Sequence, residues 1–141
     1  MIRILRSEFN GEEERVSKIL SDFKVDQNIS VFEREEKFSF SCLDDDTYIG
    51  GAIGKITDNA CHIELLGVID SYRKQKIGSN IIEFVIEYAK KMGCIQVTVN
   101  TLNFQARLFY EKQGFKVFGV LDDFPKKGFQ KFYMRKVIAL Y

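Results

Sequence analysis

The passage from residue 60 to residue 93 constrains this chain most, because the period of its hydrophobic pattern changes there. "ACHIELLGVID" reads as a strand by its apolar and β-branched content. From Gly78 onward Ile81, Ile82, Phe84, Val85, Tyr88, Ala89 and Met92 return at helical spacing, and Gly93 after Lys90 and Lys91 is a stop signal. Between the two lies "SYRKQKIGSN". A strand that hands to a helix across a basic loop gathers the helix's unpaired N–H groups, its positive dipole end and side-chain cations at one spot. Arg73, Lys74 and Lys76 supply the cations, and Gly78 permits close approach to the backbone. Such a spot suits phosphate, although the stretch is neither a Walker A loop nor the glycine-rich dinucleotide fingerprint.

The flanking sequence supplies a frame. "IRIL" alternates like a strand, and "NGEEERVSKILSDF" predicts a helix with Asn10 as N-cap and Val16, Ile19, Leu20 and Phe23 on one face. Strands are expected at 37–43, 47–56 and 60–69, separated by an Asp-rich turn at 44–46 and by Asp58-Asn59, which makes an antiparallel meander. "IQVTVNT" is a strand, "FQARLFYEKQG" a short helix closed by Gly114, and "FKVFGVL" and "FQKFYMRKVI" two closing strands. The order is β-α-β-β-β-α-β-α-β-β. With 141 residues, 45% of them hydrophobic, the expectation is one domain over residues 1–141.

Charge and cysteines narrow the function classes. Lys and Arg number 21 against 20 Asp and Glu, so no global field draws the chain to nucleic acid or an anionic membrane. The three cysteines are odd in number, far apart and inside apolar runs, which fits buried thiols in the reducing cytoplasm better than disulfides or a metal site. No apolar run approaches the length that spans a bilayer. Neither nucleic acid, membrane nor metal is therefore expected as a partner.

Downstream, "NTLNFQARLFYEKQGF" carries Asn103, Ala106, Tyr110, Gly114 and Phe115 in the spacing N-x-x-A-x-x-x-Y-x-x-x-G-F. Together with Arg73 and Gly78 in an R/Q-x-x-G-x-G/A frame and the order of elements, this resembles the GNAT superfamily of N-acetyltransferases, well over about residues 47–138. The resemblance implies an α/β fold with a mixed, mostly antiparallel sheet of about seven strands, flanked by helices and splayed between the fourth and fifth strands. It implies acetyl-CoA as cosubstrate, its pantetheine arm pairing with backbone of the strand that holds Leu66 and Val68. Its pyrophosphate would lie on the run Arg73, Lys74, Gln75, Lys76, Ile77, Gly78 and Ser79, while Asn103 and Ala106 contact the CoA arm or order the loop. Asn103 also suits a helix N-cap. Lys76 stands where the family usually has its first glycine. The reading adopted is that the loop keeps ordinary φ/ψ, so that Lys76 adds a phosphate-directed cation.

The chemistry implied is direct attack of an uncharged amine on the thioester, with the Val68 N–H as oxyanion donor and Tyr110 as general acid to the departing thiolate. For the base, strand alternation puts His62, Glu64, Leu66 and Val68 on one face unless a bulge intervenes. Glu64 ranks ahead of His62, and a water chain is the family's other solution. The acceptor, expected to be a small-molecule primary amine, would meet "KVDQNIS", "TDNA", "LDDFPKKGF" and the Asp-rich 44–46 turn, with Asp122 and Asp123 either attracting a cationic amine or serving as turn residues. A peptide or protein acceptor, and a CoA-binding module without catalysis, are the alternatives. Homodimerisation is common in that family, and the apolar end of "KFYMRKVIALY" would serve a second copy or the chain's own core.

Overall fold

Six strands, three α-helices and one short 3-10 turn are present in the computed structural model, which describes residues 1–26, 34–102 and 104–139. The chain divides into an N-terminal unit, up to residue 33, and a larger unit from Arg34.

In the first unit, α1 runs Phe9–Asp26. It begins one residue before the expected Asn10 cap. The Glu8 carboxylate accepts from the N–H groups of Asn10 (3.1 Å) and Gly11 (2.8 Å), a negative group on the donors that the first turn leaves unpaired. Residues 2–5, the expected first strand, are not in strand conformation. Four alternating residues specify a strand only where a neighbour completes the ladder, so the described sheet has six strands rather than about seven.

In the larger unit, β1 (Glu35–Asp44), β2 (Thr47–Thr57) and β3 (Ala60–Val68) form the antiparallel meander. A 3-10 turn at Asp70–Tyr72 leads to α2 (Ile77–Lys91), then β4 (Gln96–Thr101), α3 (Phe104–Lys112), β5 (Lys116–Asp122) and β6 (Gln130–Val137). The sheet order is β1-β2-β3-β4-β6-β5, and only β3 and β4 pair in parallel. The mixed, mostly antiparallel α/β architecture is thus as expected.

The core explains the helical spacing read in the sequence. Ile81, Ile82, Val85, Ile86 and Ala89 of α2 are buried with Ile56, Cys61, Ile63, Val97 and Val99 of the strands beneath. Beside them Gly54 is forced by packing: a Cβ there would stand 2.1 Å from the His62 carbonyl oxygen and 2.6 Å from the Phe38 ring. Burial pushes the Cys61 thiol up to about 12, so this cysteine is packing and not a nucleophile.

Two features of β3 position everything that follows. Its pairing with β4 covers only Ala60–Ile63 against Gln96–Val99, after which the strands part. Its register against β2 shifts between Ile53 and Gly54, where Leu65 pairs with Ile53 and Ile63 with Gly54, leaving Glu64 as the extra residue of a β-bulge.

Candidate active site

The opening between β3 and β4 continues into a cleft of about 640 Å³. The end of β3 (Leu66, Gly67, Val68), the following loop and the start of α2 (Tyr72, Arg73, Lys74, Lys76, Ile77, Gly78, Ser79) and one side of α3 (Gln105, Ala106, Phe109, Tyr110) line it. Ten of the residues singled out in the sequence therefore meet here: Leu66, Val68, Arg73, Lys74, Lys76, Ile77, Gly78, Ser79, Ala106 and Tyr110.

The loop departs from ordinary backbone. Lys74 has φ +70° and Lys76 φ +64°, so the left-handed conformation that the family fills with glycine is present and is occupied by lysine. The expectation of ordinary φ/ψ at Lys76 is thereby overturned, at a steric cost of about 1 kcal/mol for a residue with a Cβ. Lys76 is also the N-cap of α2, without a side-chain capping bond. The helix closes with Asn80 N–H on the Lys76 carbonyl at 3.0 Å, so the N–H groups of Ile77, Gly78 and Ser79 precede the first intrahelical bond at the floor of the cleft. Gly78 packs tightly under Phe109: a Cβ would lie 3.1 Å from that ring, so the ring would have to give by a few tenths of an ångström. Gln113 Nε2 donates to Ser79 Oγ at 2.8 Å and ties the end of α3 to the start of α2.

At the end of β3, Ile69 N–H donates to the Ile49 carbonyl at 2.9 Å. Strand alternation then turns the N–H and carbonyl of Val68 to the other edge, which the parting of β4 has opened. Arg73 Nε donates to that carbonyl at 3.1 Å, and its Nη1 stands 2.8 Å from Asp70 Oδ1. Arg73 thus braces the strand end. Tyr72 donates its hydroxyl to Asp44, which links the β1–β2 turn to the same loop and raises the phenol's pKa.

Tyr110 is 6% exposed, set edge to face between Phe109 (5.2 Å) and Phe115 (5.5 Å). Burial pushes its pKa up to about 12, so the phenol keeps its proton throughout the neutral range.

Several expectations need correction. Cys61 and Ile63 face the core, and after the bulge Leu66 and Val68 do so, which leaves His62 and Glu64 off the row they were expected to share with Val68. Glu64 instead borders a separate cavity with Lys37, Ser39, Ile53 and Gly54. At about 3.3 Å rise per residue its Cα lies about 13 Å along the strand from Val68, and His62 about 20 Å, so neither reaches an atom at the Val68 N–H directly. His62 Nδ1 sits 2.8 Å from Thr98 Oγ1, and burial lowers its pKa. Gln75 turns back to the Ser71 carbonyl (3.4 Å) and does not line the cleft. Asn103 lies outside the described residues, as do residues 27–30 of the expected acceptor region. "TDNA" ends where β3 begins, about 26 Å from Val68 by the same rise, at the wrong end of the strand. Asp122 accepts from Gln130 Nε2 (2.7 Å) and Asp123 from Gly128 N–H (2.9 Å), both within the β5–β6 connection.

Gly67, Tyr72, Gln105 and Phe109 line the cleft without having been singled out. For Phe109 the sequence offered no signal beyond a core aromatic, because its place over Gly78 is set by tertiary packing. Among the described residues no group of three or more His, Cys, Asp or Glu is placed to hold a metal ion, and no helix is long and apolar enough to cross a membrane.

A parallel strand pair that parts beside a helix start suited to phosphate, with Tyr110 on the facing helix, is the arrangement expected of an acetyl-CoA-dependent acyltransferase fold. Residues 1–115 match the acetyltransferase (GNAT) family, and the chain belongs to it. An acetyltransferase of Agrobacterium fabrum is 29% identical over 107 residues, covering 74% of this chain and 78% of that protein. The blasticidin-S acetyltransferase of Streptomyces morookaense is 30% identical over 88 residues, 62% of this chain and 65% of that one. A crystal structure of an acetyltransferase from Bacillus cereus superposes with a TM-score of 0.80 at 24% identity, over 96% of this chain and 97% of that one.

Proposed function

We propose that this protein transfers the acetyl group of acetyl-CoA to the primary amine of a small molecule. The observation that carries the reading is the union, in one cleft, of the Val68 N–H turned to the open edge of β3 with the first N–H groups of α2. The pantetheine arm pairs along the open edge at Leu66 and Val68, and the pyrophosphate rests on the N–H groups of Ile77, Gly78 and Ser79 with Lys74 and Lys76 beside it. Ala106 and Phe109 wall the arm, Arg73 holds the strand end, and Asn103 is carried over from the family's motif as a contact to the arm.

The amine attacks the thioester carbon as the carbonyl oxygen gains charge against the Val68 N–H. The collapsing intermediate expels CoA thiolate, which takes the Tyr110 proton as solvent water returns one to the phenol. The thiolate's intrinsic pKa of about 8.5 makes that help moderate. The amine's own proton leaves to solvent water, since Glu64 borders a separate cavity and does not reach the cleft. The likeness to a blasticidin-S acetyltransferase supports this acceptor class.

Calorimetric titration with acetyl-CoA, followed by an assay of CoA release against a panel of small amines and amino-terminal peptides, tests this. Micromolar cofactor binding, about −8 kcal/mol, with turnover on small amines is expected. Turnover on peptides alone would overturn the acceptor class, and binding without turnover on any amine would leave a cofactor-binding module.

A further inference from the structure

A second cavity of about 480 Å³ lies beside the end of β3 and shares Gly67 and Val68 with the cofactor cleft. The bulge at Glu64 decides which way it faces. Because Leu66 and Val68 pack on the core, Leu65 and Gly67 turn to the sheet face away from α2, next to Ile53 and Gly51 of β2.

Four glycines gather along this strand pair, and three of them are there for packing. A Cβ on Gly50 would meet the Gly67 carbonyl at 2.6 Å, one on Gly51 the Phe40 carbonyl at 2.6 Å, and one on Gly54 the His62 carbonyl at 2.1 Å. Gly67 differs: a Cβ there would meet nothing within 4 Å, and its φ is not positive. Glycine weakens a strand, and here neither packing nor backbone geometry calls for it.

We propose that Gly67 is a specificity-determining residue, its missing side chain keeping open the passage by which an acceptor amine held in the second cavity reaches the thioester at Val68. This rests on the acetyltransferase reading above. The hydroxyl of Tyr48 stands 2.7 Å from the Cβ position of Gly51, the residue paired with Gly67, and Ser39 and Ser41 add two more hydroxyls to the cavity wall. Ile53 and Leu65 supply apolar surface. This lining matches a small primary amine that carries hydroxyl groups on a compact carbon body.

The test compares wild type, Gly67→Ala and Gly67→Val with ethanolamine and glucosamine as acceptors at saturating acetyl-CoA, with thermal melts to establish folding. The readout is the ratio of kcat/KM for ethanolamine to that for glucosamine, which a uniform loss of cofactor affinity leaves unmoved. Gly67→Ala is expected to raise the ratio about threefold and Gly67→Val at least tenfold. An unchanged ratio in folded variants overturns the proposal, and Gly67→Ala decides the matter if Gly67→Val does not fold. Wild-type protein that acetylates neither amine but binds acetyl-CoA removes the hydroxylated-amine assignment. Failure of wild type to bind acetyl-CoA removes the acetyltransferase reading itself.

Discussion

The two halves of β3 are built on opposite terms. From Ala60 to Ile63 the strand has a neighbour on each side, and Cys61 and Ile63 are at 0% and 1% exposure. From Leu65 to Val68 it keeps only β2, and its other edge opens on the cleft. The first half holds the sheet together; the second has no strand on its other edge, where the Val68 carbonyl takes Arg73 Nε instead. One inserted residue, Glu64, separates them, and it reverses which side chains face the core. The lesson is that the site is made by withdrawing structure from a strand the fold has already secured.

If that division holds, damage to the first half should be read in stability. Ile63→Ala is expected to lower stability by about 3–4 kcal/mol, since a fully buried side chain is lost from a packed core. Denaturant unfolding measures it. A loss under about 1 kcal/mol would mean that the paired half is not where the stability lies.

The open half should instead respond in rate. Tyr110→Phe removes the proton proposed to reach the departing thiolate while leaving the ring between Phe109 and Phe115. The expected outcome is a fall in kcat of about 30-fold, near 2 kcal/mol, at unchanged cofactor affinity. Equal kcat would strip Tyr110 of its role as acid. The pH profile sharpens this: because burial raises the phenol to about 12, activity should show no alkaline loss from Tyr110 below about pH 10. The matching stability is present below the unfolded value of 10.0 and lost as pH rises through about 12.

His62, at the boundary, predicts a smaller effect on the acid side. Its pKa is lowered, chiefly by burial, so the neutral ring is favoured in the fold. The stability this adds is present above the unfolded value of 6.5 and declines as pH falls below it toward the folded value. His62→Gln should flatten that acid limb in melts taken across the range, and an unaltered limb would remove His62 as its cause.

How far the sequence reached follows the same division. The meander, α2 and the closing helix and strands were legible because each carries a period that burial enforces over several residues, as Ile81, Ile82, Val85 and Ala89 do. The bulge was not legible, since one added residue leaves composition and local alternation almost unchanged, and so Glu64 and His62 were placed on the wrong row. The cleft's motif residues were legible through spacing, whereas Phe109 is placed by its contact with Gly78, and Gly67 by the open space beside it. "IRIL" shows the reverse failure, a strand pattern without strand conformation.

Lys76 carries the smallest expected effect and the sharpest division of terms. Its φ of +64° disfavours a side chain, while its charge stands at the cleft that a pyrophosphate would fill. Lys76→Gly should therefore raise stability by about 0.5–1 kcal/mol, the steric relief being partly offset by the greater freedom of glycine in the unfolded chain. The same change removes one cation, so acetyl-CoA affinity should fall about threefold at low salt, and by less at high salt as screening weakens the lost attraction. Both signs are needed. A gain in stability with no loss of affinity would make Lys76 a strained bystander, and a loss of affinity that salt does not alter would mean that the backbone turn, rather than the charge, was what the lysine contributed.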